Sequence, residues 1–397
     1  MSEPTRAMNV LMLNHNPKES GTYFRCFHFA RHLVRKGHKV TLMTCINNRF
    51  KPEVEYIEGV RVIGTPRFRR VADFIVPGGL DTGFLDILIR AGHTTFSNYD
   101  IIHGFDHLPN VSFPAYLGRK LRNVCFISDW CDWWTKGGFP YERFQSKRRN
   151  DFEIFLEEGI RKIADGVTVI SSVLKERTEG LGVPADKIKV IPSGADINNI
   201  RPLCKKTARE KLDLPLNASI LGFVGFVDVD VDLVIRAIKI VSEKNPLARA
   251  LIIGVKDKAA QTAKELGIED KVILAGIKPY SHLPDYYAAA DVLAMPLRDT
   301  LFNRARWPNK IGDYLAAGRP TVSHPVGDIK RLFAEHHIGF LAEPDSAEDF
   351  AAQVARLFDD PSMASQMGET ARRLAEDEYS WERMTDSLEQ FYNKCLH

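Results

Sequence analysis

Short, unbroken apolar runs alternate with amphipathic stretches along most of this chain, and few folds accept that pattern. The runs in the first half are VLMLN (10–14), KVTLMTC (39–45), VRVIGT (60–65), DIIH (100–103), VCFIS (124–128), GVTVI (166–170) and IKVI (188–191). Between the first two, Phe24, Phe27, Phe29, Ala30, Leu33 and Val34 recur at helical spacing, and Gly37 stands where such a helix would stop. Strands that are apolar without alternation are buried on both faces. With helices between them, they predict a parallel sheet covered on both sides.

At IPSGADINNIRP (191–202) the pattern breaks into Pro, Gly, Asp and Asn, as a linker or hinge does. A second series follows: ILGFV (220–224), ALIIG (250–254), VILA (272–275), VLAMP (292–296), PTVS (320–323) and GFLA (339–342), and then a mainly helical end. A chain of 397 residues exceeds what one core serves, which is roughly 250–300 residues. The expectation is an α/β protein with two doubly wound, Rossmann-like parallel sheets. Ligands in such sheets lie beyond the carboxyl ends of the strands, so the two domains are expected to face a central cleft.

Bulk properties exclude several classes. A net charge of +3 argues against a nucleic-acid binder. No apolar run approaches the roughly 18 residues of a spanning helix. The start, MSEPTRAMNV, has no apolar signal core, so a cytoplasmic location is expected. Cys26, Cys45, Cys125, Cys131, Cys204 and Cys395 form no C-x-x-C pair and read as reduced thiols; no metal site and no cofactor are expected.

The segment richest in chemistry is LRDTLFNRARWPNK followed by IGDYLAAGRP (297–320). Pro308 suits the first turn of a helix, and Gly318 with Pro320 ends it. The free N–H groups and positive end of that helix suit a diphosphate. Arg304, Arg306 and Lys310 add positive charge, and Asn309 and Asp313 share a face. A carboxylate at Asp313 could accept both hydroxyls of a ribose. An exposed basic loop before an ordinary amphipathic helix fits the same spacing.

The pattern P-x-K-x-x-[DE]-Y-L-A-A-G-x-P-x-V in this segment resembles the donor-binding segment of family 4 glycosyltransferases. Stretches 35–44, 190–202, 286–297 and 327–351 resemble the same family at the same relative places. The resemblance implies a GT-B fold, with an acceptor domain over 1–200, a nucleotide-sugar domain over 201–376 and a C-terminal helix (377–397) crossing back to the first domain. It implies transfer of a sugar from a nucleotide-diphosphate sugar to a glycan, lipid-linked or small-molecule acceptor, with retention and without a metal. A non-catalytic nucleotide- or glycan-binding relative, or a sugar-nucleotide epimerase or hydrolase, is the alternative.

Two positions depart from the family pattern. Ala305 stands where the first of two glutamates is common, with Asp313 at the second. After strand 220–224, where an Arg and a Lys are common, the chain reads GFVDVDVDL, with Phe226 at the Arg. Asp228, Asp230 and Asp232 alternate there but lack the glycine and distal glutamate of a calcium loop, so an N-cap or a solvated turn with Asp232 starting a helix is expected. Arg304, Arg306 and Lys310 are then expected to carry the donor phosphates.

On the N-terminal side, the loop HNPKESGTYFR offers Gly21 for close backbone approach and Arg25 one turn into the helix. Loops after strands 100–103 and 124–128 hold Asp106, His107 and Asp129, candidates to orient an acceptor hydroxyl or take its proton. Trp130, Trp133 and Trp134 could stack on sugar rings, with core packing expected for at least one. RFRR (67–70) beside the apolar stretch 72–92 fits either a covered helix or peripheral contact with the inner face of a membrane.

Overall fold

A computed structural model describes residues 6–47, 49–67, 83–138, 147–225, 230–254 and 256–396. The chain divides into two compact units. One is Met1–Pro192 together with Met384–His397; the other is Ser193–Arg383.

The first unit holds strands β1 (Asn9–Pro17), β2 (Lys39–Asn47), β3 (Glu53–Ile57), β4 (Val60–Arg67), β5 (Ile101–Phe105), β6 (Cys125–Trp130), β7 (Gly166–Val169) and β8 (Ile188–Val190). They form one sheet in the order β3-β4-β2-β1-β5-β6-β7-β8. All pairs are parallel except β3 with β4. Val10, Leu11, Met12 and Leu13 of β1 are all fully buried, so both faces of this strand are covered, as its unbroken apolar run requires. Strand β3 has no such run. Its residues EVEYI are nearly all exposed, and it exists as the edge of a hairpin. That hairpin turns through Glu58 (φ 47°) and Gly59 (φ 83°), both left-handed, the geometry that matches strand twist.

Strand order reverses between β1 and β5: β1 leads to β2 on one side, while β5 to β8 run out on the other. In open α/β sheets this is where a crevice forms beyond the strand ends. His15 near the end of β1 and Asp106 and His107 just after β5 stand at this switch point, and all three are buried.

The second unit holds β9 (Ser219–Gly225), β10 (Ala248–Gly254), β11 (Val272–Gly276), β12 (Val292–Met295), β13 (Thr321–Ser323) and β14 (Gly339–Leu341). All are parallel, in the order β11-β10-β9-β12-β13-β14, and the switch falls between β9 and β12. Its core joins Leu221, Ile252 and Val292 of the sheet to Val234 and Ile238 of helix Val231–Lys244, and to Phe350 and Val354 of helix Ala347–Asp359.

Helix Trp381–Leu396 carries the chain back to the first unit, as the resemblance implied. The Tyr392 hydroxyl lies 2.6 Å from His103 Nδ1 in β5, Glu389 Oε1 lies 2.9 Å from His38 Nε2, and Lys36 bridges Asp386 and Glu389.

Candidate functional site

In the second unit the site grows from helix Asn309–Ala316. Pro308 is its N-cap rather than a helical residue, and Gly318 ends it in the left-handed region (φ 63°). Tyr314 fixes the helix to the sheet at the switch point. Its hydroxyl accepts from Val224 N and donates to Ala294 O, both at 3.2 Å. A Cβ at Gly312 would lie 2.7 Å from the Gly194 carbonyl, so the residue must be glycine for the helix to approach the linker this closely.

Lys310, one residue into this helix, is partly buried, with its ammonium 4.5 Å over the Phe223 ring. Burial and the neighbouring Arg306 guanidinium disfavour its charge and outweigh Asp230, so its pKa falls to about 7. Arg306 lies 4.8 Å over the Phe302 ring. Two cations, Lys310 and Arg306, thus neighbour each other at the start of this helix, an arrangement suited to an anionic ligand. Asn309 is exposed at the first turn. Arg304 does not join this pair. It is exposed and its guanidinium pairs with Asp299. Its backbone is used instead: Gly327 (φ 56°) packs so closely that a Cβ would lie 2.5 Å from the Arg304 carbonyl oxygen.

Asp313 is not an open carboxylate either. Tyr280 OH donates to one oxygen and Tyr287 OH to the other, both at 3.0 Å. Burial raises its pKa to about 7 against those hydrogen bonds, with Asp196 pushing the same way as burial. Each carboxylate oxygen keeps a lone pair for a further donor.

Of the acidic stretch after β9, Asp230 and Asp232 are described, and both are paired with cations rather than solvated. Phe226 and Asp228 lie outside the described residues. Asp230, fully buried and left-handed (φ 65°), rather than Asp232, precedes the helix and makes no side-chain cap. Arg298 Nη1 reaches Asp230 at 3.0 Å and Nη2 reaches Asp232 at 2.8 Å, while Lys258 lies 3.3 Å from Asp232. Arg298 was invisible as their partner because 68 and 66 residues separate it from Asp230 and Asp232.

In the first unit, Asp106 adopts φ 75°, a costly conformation for a non-glycine residue. It is buried, with Oδ1 2.7 Å from His107 Nδ1 and Oδ2 accepting from Trp134 Nε1 at 2.9 Å. His15 lies 3.9 Å away and Glu153 lies 3.4 Å from His107 Nε2. Burial works against the His107 cation, but Asp106 and Glu153 overcome it and raise its pKa to about 9. The same pairing, against burial, holds Asp106 well below the usual carboxylate range.

Asp129 and Arg25, expected as a base and a cleft-reaching cation, are engaged with each other in the interior. Asp129 also accepts from Thr168 and Cys131, and Arg25 donates to Ile191 O at 2.8 Å. Neither is open to a ligand. Gly21 (φ 53°) lies in a loop tied by Asn14 and Asn16 to the Thr22 hydroxyl, and a Cβ there would strike Asn16. Trp130 is core: its ring is fully buried, with Arg161 and Arg177 over it and Nε1 donating to Glu157. Arg177 also covers Trp133 at 3.7 Å. Trp134 is partly exposed.

Residues 21–199 match the model of Glycosyltransferase Family 4, and residues 205–374 match Glycosyl transferases group 1. The chain belongs to glycosyltransferase family 4. It is 28% identical over 255 residues to a D-inositol 3-phosphate glycosyltransferase of Thermobispora bispora, covering 60% of this chain and 58% of that one. The chain spans about half the length of this and similar curated relatives. Among solved structures, sucrose-phosphate synthase of Thermosynechococcus elongatus superposes with a TM-score of 0.75 at 20% identity, covering 98% of each chain. Anabaena Alr3699/HepE in complex with UDP and glucose gives 0.71 at 14% identity, covering 98% of this chain and all (100%) of that one. These likenesses show the GT-B fold.

Several residues of this family 4 chain escaped sequence reasoning. Tyr280 and Tyr287 bracket Asp313 from SHLPDYY, where only the spacing of aromatic residues could have hinted at it. His324 is buried just after β13; Leu297 N donates to its Nδ1 at 2.8 Å, which places the proton on Nε2. Burial lowers its pKa to about 4. Among the described residues no group of three or more His, Cys, Asp or Glu is placed to hold a metal, and no helix is long and apolar enough to cross a membrane.

Proposed function

We propose that this family 4 member is a retaining, metal-independent hexosyltransferase that uses a nucleoside-diphosphate sugar. The observation that carries this is Lys310, an ammonium whose charge is disfavoured by burial and by Arg306 until an anion arrives. A donor diphosphate supplies that anion without a divalent cation, and the same two cations then stabilise the charge that develops on the leaving group. Asp313, held between two tyrosine hydroxyls, accepts the ribose hydroxyls. Asn309 opens its backbone at the helix start. In the first unit, Trp134 presents a sugar-stacking ring whose indole N–H is anchored by Asp106. Asp106 and His107 act as a fixed ion pair that positions the acceptor side, not as a free base.

The test is a panel of UDP-, GDP-, ADP- and dTDP-sugars. UDP-glucose comes first because a structural neighbour is solved with it. Binding is read by thermal shift and turnover by nucleotide release. Acceptors begin with D-inositol 3-phosphate, the compound in the relatives' names. Binding without release on any acceptor would favour a non-catalytic nucleotide-binding role, and no shift with any donor would sink both readings.

A lipid-linked acceptor at a membrane surface is favoured by one further observation. Helix Phe84–Phe96 leaves Phe84, Leu85 and Leu88 exposed on one face. Arg69, Arg70 and the stretch 71–82 beside this helix lie outside the described residues. Sedimentation with anionic vesicles, lost in L85D/L88D, tests this.

A further inference from the structure

Two of the six cysteines meet across the fold. Cys125 opens β6, and Cys395 lies in the last turn of helix Trp381–Leu396. The strand register explains the meeting. His103, Ile127 and Gly166 are mutual partners across β5, β6 and β7, so their side chains share one sheet face, and Cys125, two residues before Ile127, shares it too. Tyr392 of the final helix bonds His103 on that face. Cys395, three residues on, faces the same way and comes down over Gly166, where a Cβ would lie 2.8 Å from its sulfur. Only the missing side chain at Gly166 leaves room for it.

The two thiols are hydrogen-bonded to each other. Both are partly exposed, whereas Cys26, Cys45 and Cys131 are buried. They line a surface hollow of about 660 Å³ together with Arg119, Lys187, Lys394 and Asp165. The hydrogen bond from Cys125, with Lys394 and Lys187 nearby, lowers the Cys395 pKa despite burial, while that same bond and burial push Cys125 up. One thiol is thus poised as the nucleophile and the other as the resolving partner.

We propose that Cys125 and Cys395 are a peroxide-reactive pair that closes a disulfide between β6 and the final helix. The Cys395 sulfur attacks one oxygen of hydrogen peroxide, the O–O bond breaks, and the departing hydroxide leaves as water with the thiol proton. The Cys125 sulfur then attacks the sulfenic sulfur, the S–O bond breaks, the S–S bond forms and a second water leaves. Two thiols and one peroxide give one disulfide and two waters. The bond ties the last turn of the helix to the strand it already covers.

The experiment uses the full chain carrying C204S, because Cys204 is exposed and would pair between molecules. After hydrogen peroxide and removal of excess oxidant, two of the remaining five thiols are expected to be lost to a thiol reagent under denaturing conditions. Peptide mapping is expected to find Cys125 linked to Cys395, with both thiols restored by dithiothreitol. C395S on the same background is expected to give no such link. C125S is expected to accumulate a sulfenic acid at Cys395, trapped by dimedone. Five thiols still reactive after peroxide, or a link joining any other pair, would overturn the proposal.

Discussion

Arg25 grips Asp129 with two hydrogen bonds, Nε to Oδ2 at 3.0 Å and Nη2 to Oδ1 at 2.9 Å, in a pair that is 3% and 0% exposed. The pair links helix Tyr23–Arg35 to β6, and the Thr168 hydroxyl extends it to β7 and onward to His103 and Tyr392. Such a chain of linked polar groups fixes how the final helix seats on the sheet. A carboxylate so fully used has no lone pair to offer a substrate proton.

Removing one partner of this pair leaves the other charged and buried. Arg25→Met is therefore expected to destabilise the protein by roughly 3–5 kcal/mol, the usual cost of orphaning a buried charge. The urea midpoint measures it. A variant that keeps wild-type stability but loses transfer activity would instead return Asp129 to a catalytic role.

Lys310 predicts a pH dependence of donor binding. Its pKa in the free protein is about 7, and only the charged form attracts a diphosphate. A nucleotide sugar has no phosphate proton to lose near neutrality, so the titration belongs to the protein. Affinity is expected to weaken as pH rises above about 7, by less than about tenfold per unit because Asp313 ionises over the same range and opposes the trend. Lys310→Met is expected to weaken binding and flatten the profile. A steep profile that survives in the variant would assign the titration elsewhere. Calorimetry across pH 6 to 9 reads both.

The sheets were legible because their strands are buried on both faces, and burial of that kind leaves an unbroken apolar run. Strand β3 was not, since EVEYI is half in water and carries no such run. The candidate donor helix was legible from Pro308, Lys310 and Gly318, which act locally. What surrounds it was not. Tyr280 and Tyr287 reach Asp313 across 33 and 26 residues, and Arg298 reaches Asp230 across 68. Arg25 and Asp129 are 104 apart. Charges with distant partners look free in a sequence, and here two expected ligands of substrate, Arg25 and Arg304, turn out to be held by carboxylates.

The tyrosine pair at Asp313 predicts a specific loss. Tyr280→Phe and Tyr287→Phe each remove one hydrogen bond to the carboxylate while keeping the ring. A hydrogen bond to a charged group is worth roughly 1.5–3 kcal/mol, so each variant raises the proton affinity of Asp313 and weakens its hold on a ribose diol. The Michaelis constant for the donor is expected to rise about tenfold or more at neutral pH, with a smaller change in turnover number. The loss is expected to shrink at higher pH, where Asp313 ionises in both proteins. Equal loss at all pH values would mean that the hydroxyls serve packing alone.

His107 predicts how stability responds to alkali. Its folded pKa of about 9 lies above the ordinary value of roughly 6.5, because Asp106 and Glu153 favour the cation more than burial opposes it. A raised pKa means that the folded state binds the proton more tightly than the unfolded chain does. The stabilisation is complete below pH roughly 6.5 and is lost as pH rises through about 9. Urea unfolding of the wild type is therefore expected to weaken between pH 6.5 and 9.5 by roughly 1.5–3 kcal/mol, the worth of a charge-assisted hydrogen bond. His107→Gln, which keeps a donor near Asp106 but cannot titrate, is expected to start less stable and to lose less over the same range. If both proteins weakened in parallel, the alkaline loss would have another source. The Asp106–His107 pair would then be a neutral hydrogen bond, and the strained backbone at Asp106 would owe its position to Trp134 instead.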